Sequence, residues 1–431
     1  MTKVYDVVVI GGGTAGVAAA ISAARNGADT LLIEQNSFLG GTMTGSLVTP
    51  MMKNNIKTKD GKFQSLTTGI YAEILDRLYE TGNAATHSNG NQGWFNPEMM
   101  KCILDDLAQE AGVKVVFNSF VLDVDVNGDK IQNIKYVNKS GLKQVQSKYF
   151  IDATGDADIA HLTGIQCESE YQALSLRFNM SGVDLNKFGK WVTEIDKNTD
   201  ITCFEKSENN QILITTAYTS QDMGWKLKPF FDEAVEKGVI KDYDADYFQI
   251  FSIPGQDGVI SFNCPRIHSD KVLNPLDEDD TSFALIQGRK QIRRLAEFCK
   301  LYLKGFEKAS ICQIAPQLGV RSTRRILGEY VLKEEDILTC KKFDSSVAKT
   351  NYPIDVHSKD KEKNVLHTFT ETDYYEIPIE TTYSNKVKNL YIVGKAVSST
   401  YKAQASLRIQ PNCIQIGELV GKHLANQSKI Q

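Results

Sequence analysis

The glycines of VVVIGGGTAGVAAAISAA, residues 7 to 24, suit one kind of chemistry: holding a diphosphate. Gly11, Gly13 and Gly16 fit the spacing G-x-G-x-x-G. The first permits a tight turn, the second lets backbone approach a pyrophosphate, and the third lets a helix lie close on a strand. Thr14 and Ala15 open the helix that follows, so its free amides and dipole face the same anion. Glu34 ends the next apolar run, TLLIE, with Gln35 beside it. A carboxylate about 20 residues past the glycines accepts hydrogen bonds from a ribose diol and disfavours a 2′-phosphate. The ligand is a dinucleotide, and the fingerprint alone does not separate NAD from FAD.

The elements that must position these residues follow from periodicity. Residues 4 to 10, VYDVVVI, form the β-branched run of a strand buried on both faces of a parallel sheet. A helix is expected from Thr14 to about Asn26, closed by Gly27. GIYAEILDRLYETG carries a helical apolar stripe, and NPEMMKCILDDLAQEAG starts a helix at Asn96 with Pro97 in its first turn. Strands with an Asn127-Gly128 turn come next. KYFIDATGDADIAHLTG, residues 148 to 164, runs an apolar strand into Ala153-Thr154-Gly155-Asp156. LYIVG is a strand with Gly394 at its end. A polar loop follows from 395 to 410, and Pro411 then starts a helix that runs to about Ala425, with Gly417 and Gly421 allowing close packing. Between residues 165 and 300 the pattern is of clustered or alternating strands, one central helix and a long amphipathic helix over 280–306.

The turn Gly40-Gly41-Thr42, the ATG segment, QLGVRSTRRILGEYVLKEEDI and the C-terminal NLYIVG to KHLA together resemble the FAD-dependent oxidoreductase family. The nearest likeness is to its bacterial branch of glutathione-reductase-type flavoproteins, related to fumarate-reductase-type proteins. The resemblance implies an α/β fold: a Rossmann-like FAD-binding domain over 1–164 plus 301–431, and an inserted α+β substrate or cap domain over 165–300. It implies noncovalent FAD on Gly11, Gly13, Thr14, Ala15, Gly16, Glu34, Gln35, Gly41 and Thr42. Val121 would give backbone to the adenine, and Ala153, Thr154, Gly155 and Asp156 would lie beside the adenosine and diphosphate. Gly394 and the start of the last helix, Asn412, Cys413 and Ile414, would face the flavin.

In such a protein the flavin carries the redox chemistry and few side chains join it. Arg408 suits an anionic substrate or the flavin carbonyls. Tyr401 suits a proton donor. Arg321 suits a carboxylate or phosphate, and helical spacing would put Arg324 on its face. Gln404, Thr42 and Thr44 are further contacts; Met43, Met51 and Met52 read as pocket wall or core. His161 reads as a helix surface residue, and His423 as a cation at the end of the last helix. No histidine or cysteine spacing suits a metal, so none is assigned.

The chain has 431 residues and a net charge of −4, with no basic face to suggest a nucleic-acid partner. No apolar run is long enough to insert in a membrane, and eight scattered cysteines suit reduced thiols in the cytoplasm. The expected activity is hydride transfer between a small polar metabolite and flavin N5, as a dehydrogenase or oxidase. The alternatives are a reductase of an activated double bond and a non-catalytic FAD-binding protein. The expected partner is a small-molecule substrate; a homo-oligomer is left open.

Overall fold

The computed structural model describes residues 3–86, 94–207, 209–219, 224–356, 366–367 and 372–430. The charged stretch KDKEKN, His87 and His357 lie outside them.

Val7, Val8, Val9 and Ile10 are all buried, which a strand achieves inside a sheet covered on both faces. That strand, Val4–Ile10, pairs in parallel with Thr30–Ile33 on one side and Gly141–Asp152 on the other. Lys114–Val116 extends the sheet beyond Thr30–Ile33, and Leu390–Ile392 joins in parallel beside residues 150–152. Gly141–Asp152 has two employments. Residues 146–152 pair in parallel with the first strand, and residues 141–145 run antiparallel to Lys130–Asn138, which hairpins onto Phe120–Asn127 through Gly128 at φ +61°. The parallel strands end at one edge, where such sheets place their ligands.

Helix Thr14–Arg25 follows the first strand, and helix Gln410–Ser428 lies across it. Small residues make that crossing: Gly417 and Gly421 rest on the backbone of Ala15 and Ala19. The last helix is longer at both ends than its sequence suggests. His423 therefore lies inside it, half-buried, where burial holds its pKa down and removes the expected cationic role. The segment 395–410 is not a loop throughout. Thr400 accepts a hydrogen bond from the Ala403 amide and caps a short helix, Tyr401–Leu407.

A second sheet has six antiparallel strands in the order Cys203–Lys206, Ile212–Thr219, Tyr247–Ser252, Ile260–Phe262, Phe178–Ser181 and Ser310–Ile314. Helices Leu185–Ile195, Lys228–Glu236 and Glu278–Tyr302 accompany it. Its core is a separate apolar cluster rich in phenylalanine, including Phe178, Phe248, Phe262 and Phe298. Strand Ser310–Ile314 carries this sheet past residue 300, and Leu303, Phe306 and Ala315 join its core. The long helix lies within this layer and does not close it.

Helices Ile70–Glu80 and Pro97–Glu110 form where their apolar stripes predict. Asn96 caps the second by accepting from the Glu98 amide at 3.0 Å, and its buried side chain also accepts from Gln256 at 2.8 Å and donates to Asn83 at 2.9 Å. Asn96→Ala is expected to destabilise the protein by about 2 kcal/mol, since a cap is lost and two partners are stranded. Denaturant melts compared at equal m-value check it; a loss below about 0.5 kcal/mol would remove the cap from the account.

Candidate functional site

The first glycine turn is fixed from three sides. Gly11 has φ +98°, and a side chain there would meet the Ala153 carbonyl at 2.5 Å. Its amide donates to Ile33 at 2.8 Å, and the Ala153 amide donates to Ile10 at 2.8 Å. The second glycine turn lies directly against the first: the Gly40 amide donates to the Gly12 carbonyl at 2.8 Å, and Thr14 Oγ sits 3.3 Å from Thr42 Oγ. Glu34 is buried at the end of its strand. Its Oε2 accepts from the Gly12 amide, and its Oε1 accepts from the backbone and side chain of Asn36.

These residues fit a diphosphate. The helix Thr14–Arg25 has no side-chain cap at its start and no acidic residue in its first turn, which leaves its first amides for an anion. At Gly13, the position of an added Cβ has no protein atom nearer than Gly41 Cα at 3.9 Å.

Asp152 holds the neighbouring ATG turn. Its Oδ1 accepts from the amide and hydroxyl of Thr154, and its Oδ2 accepts from the Ala160 amide. Burial pushes this carboxyl up to about 6. Asp156 accepts from Thr323 Oγ at 2.6 Å and Lys395 Nζ at 2.8 Å. Burial pushes its carboxyl up, but Lys395 and Thr323 outweigh that and hold it below the usual range.

A cavity of about 720 Å³ runs from these turns to the six-stranded sheet. Gly11, Gly13, Thr14, Ala15, Glu34, Gln35, Gly41, Thr42, Val121, Ala153, Thr154, Gly155, Asp156, Gly394 and Cys413 all line it, with Arg321, Arg408, Met51 and Met52. Four expected site residues do not. Gly16 works inside the wall, where an added Cβ would meet the Gly11 carbonyl at 1.9 Å. Asn412 turns inward, donating to the Leu407 carbonyl and accepting from Asn54. Ile414 is core. Tyr401 faces Arg325, whose guanidinium lies 6.0 Å from its ring centroid, so it is no proton donor to the cavity. Thr44 and Gln404 are also buried away from it: Thr44 donates to the Leu39 carbonyl, and Gln404 donates to the carbonyls of Arg321 and Lys395.

Within QLGVRSTRRILGEYVLKEEDI the residues Arg324–Ile326 form a strand, and a helix comes only at Glu334–Leu338. Arg324–Ile326 pairs with Cys167–Ser169, so helical spacing does not apply and its side chains diverge. Arg324 pairs with Asp158 at 2.8 Å, and the fully buried Arg325 pairs with Glu170 at 2.8 Å. Arg321, in the loop before them, reaches the cavity.

Several lining residues went unread in the sequence. In LSLRFNM, residues 174 to 180, the apolar residues enter the phenylalanine-rich core, and Ser175 and Arg177 line the cavity from the other face. The same alternation places Phe248 and Ile250 in the core and Tyr247 and Gln249 at the cavity. Asn263, Tyr352 and Asp355 complete this wall. Tyr247 donates to Gln249 Oε1 at 2.9 Å and accepts from Asn263 Nδ2 at 3.0 Å. Tyr352 donates to the Asp355 carboxylate at 3.3 Å.

Among the described residues, no helix is long and apolar enough to cross a membrane. The profile of the family described as FAD dependent oxidoreductase matches residues 6–429. The thiamine thiazole synthase of Methanococcus aeolicus is 31% identical over 167 residues, 36% of this chain and 57% of that protein. The tRNA uridine 5-carboxymethylaminomethyl modification enzyme MnmG of Dichelobacter nodosus is 30% identical over 142 residues, 31% of this chain and 22% of that protein. The chain thus spans less than two thirds of the length of these curated relatives. Among solved structures, a geranylgeranyl bacteriochlorophyll reductase-like protein from Thermoplasma acidophilum matches at 16% identity and TM-score 0.47, over 100% of this chain and 79% of its own.

Proposed function

We propose that this chain, which belongs to the FAD dependent oxidoreductase family, moves a hydride between a small polar metabolite and noncovalently held FAD, as a dehydrogenase or oxidase. The observation that carries the reading is the continuity of one cavity, from the glycine turns to the polar face of the six-stranded sheet. FAD, when bound, supplies the two-electron acceptor or donor.

The chain's own residues bind, orient and shield. The amides at the start of Thr14–Arg25 would hold the diphosphate and Glu34 the ribose, with Val121 and Ala153 to Asp156 along the adenosine. The six-stranded sheet acts as the cap over the substrate end. Tyr247 and Tyr352 put phenol hydroxyls on the cavity wall, and either can hold a proton there.

Anaerobic mixing of the FAD-loaded protein with metabolite pools tests the reading. A metabolite that bleaches the visible flavin band supports oxidation of that metabolite. If prereduced protein is instead reoxidised by one, the reaction runs the other way, as a reductase. If no pool does either, the catalytic reading falls and a redox-neutral FAD-binding role takes its place.

A further inference from the structure

We infer that the substrate end of this cavity is built for a small organic anion with two carboxylates, seated by Arg177, Arg321 and Arg408. The inference rests on the cofactor placement proposed above.

Three separate segments bring these arginines to one cavity: the strand stretch 174–180, the loop before Arg324–Ile326, and the end of helix Tyr401–Leu407. Each donates to a backbone carbonyl: Arg177 Nη1 to Leu47 at 3.1 Å, Arg321 Nη1 to Ala173 at 2.9 Å, and Arg408 Nη2 to Asp355 at 3.2 Å. None forms an ion pair with a described residue. Arg324 and Arg325, next along the chain, do form ion pairs. Arg177 is 6% exposed, and its Nε is buried without a partner, as is the Nε of Arg408.

A guanidinium carries five donors and stays protonated in proteins. Burying such a charge without a counter-charge is expensive, and placing three about one cavity adds mutual repulsion. Burial first, and then Arg408, Arg266 and Arg177, disfavour the charge on Arg321. Asp355, a cavity-lining acid, gives Arg408 its backbone carbonyl, and its carboxylate takes the Tyr352 hydroxyl. The carbonyls these arginines meet belong to Leu47, Ala173 and Asp355, none of them on the Gly11–Thr14 turn proposed for the diphosphate. An anionic substrate would supply the missing charge. Planar forks match carboxylates in two-point contact, and two carboxylates balance more of this charge than one. Asn263 Oδ1, buried and unpartnered on the same wall, offers an acceptor to a hydroxyl or amino group on that molecule.

The test is titration of the FAD-loaded protein with succinate, acetate, succinamide and inorganic phosphate, followed by the perturbation of the flavin spectrum. Succinate is expected to bind about 10-fold or more tightly than acetate, and succinamide is expected to leave the spectrum unchanged. Arg321→Gln is expected to weaken succinate about 30-fold while FAD affinity stays as in the native protein and the thermal midpoint does not fall. Succinamide binding as tightly as succinate would overturn the inference, as would no response to any anion. Phosphate binding more tightly than succinate would also overturn it, in favour of a phosphoryl compound. If Arg321→Gln lowers FAD affinity instead, that arginine serves the cofactor and the assignment fails. The two proposals fail separately. A neutral metabolite that bleaches the flavin sinks the anion site alone. Tight succinate binding with no redox-active metabolite sinks the catalytic reading alone.

Discussion

Gly13→Ala is expected to give a folded apoprotein that binds FAD about 100-fold more weakly. Gly13 has φ −72° and ψ −172°, an extended conformation that alanine adopts without strain. The nearest protein atoms to its added Cβ are Gly41 Cα at 3.9 Å and the Ala153 carbonyl oxygen at 4.0 Å, both ordinary contacts. Nothing in the chain resists the methyl group. It would occupy cavity space beside the open amides of the helix, where a diphosphate must approach backbone closely. Losing one or two charge-assisted amide bonds costs about 3 kcal/mol. Quenching of FAD fluorescence by apoprotein measures the affinity, and thermal melts without FAD measure the fold. Unchanged affinity would put the diphosphate elsewhere.

The same substitution at Gly417 should do the opposite. Gly417 is inside a helix, where alanine by propensity alone would add about 1 kcal/mol of stability. Its added Cβ, however, would lie 2.1 Å from the Ala15 carbonyl oxygen, a backbone atom that cannot rotate away. The two helices must separate, and overpacking of this kind costs about 3 kcal/mol, enough to reverse the propensity gain. Helix Gln410–Ser428 also brings Gln410 and Cys413 to the cavity, so FAD retention should fall with the fold. Thermal melts of Gly417→Ala with and without FAD decide it. A midpoint equal to or above that of the native protein would show that the helices do not cross as described.

These two glycines also show what a sequence can and cannot disclose. The spacing of Gly11, Gly13 and Gly16, the buried run before them and Glu34 after them are local, and local order suffices to place them in one turn. Gly394 and Cys413 are legible because a second apolar strand and a proline-started helix follow in a recognisable order. The far wall is different. LSLRFNM reads as alternating, but alternation says only that one face of a strand is polar. A face turned to water and a face turned to an enclosed cavity have the same signature, so Arg177 and Tyr247 carry no mark of their place. RSTRRI misleads for a related reason: Arg321 and Arg324 stand at helical spacing, yet the pairing of Arg324–Ile326 with Cys167–Ser169 turns Arg324 to Asp158 while Arg321 lines the cavity from the loop before it. The short helix Tyr401–Leu407 hides inside a polar stretch, although Thr400 gives its capping signal.

The parallel pairing of residues 150–152 with 390–392 has a kinetic meaning. A contact so distant along the chain is slow to form, because loop closure must precede any gain from pairing. During synthesis the early strands can associate before the wall bearing Gly394 and Cys413 has been made. Until residues 390–392 pair, the cavity lacks the wall that bears Gly394 and Cys413, so the glycine turns alone offer the flavin an unfinished berth.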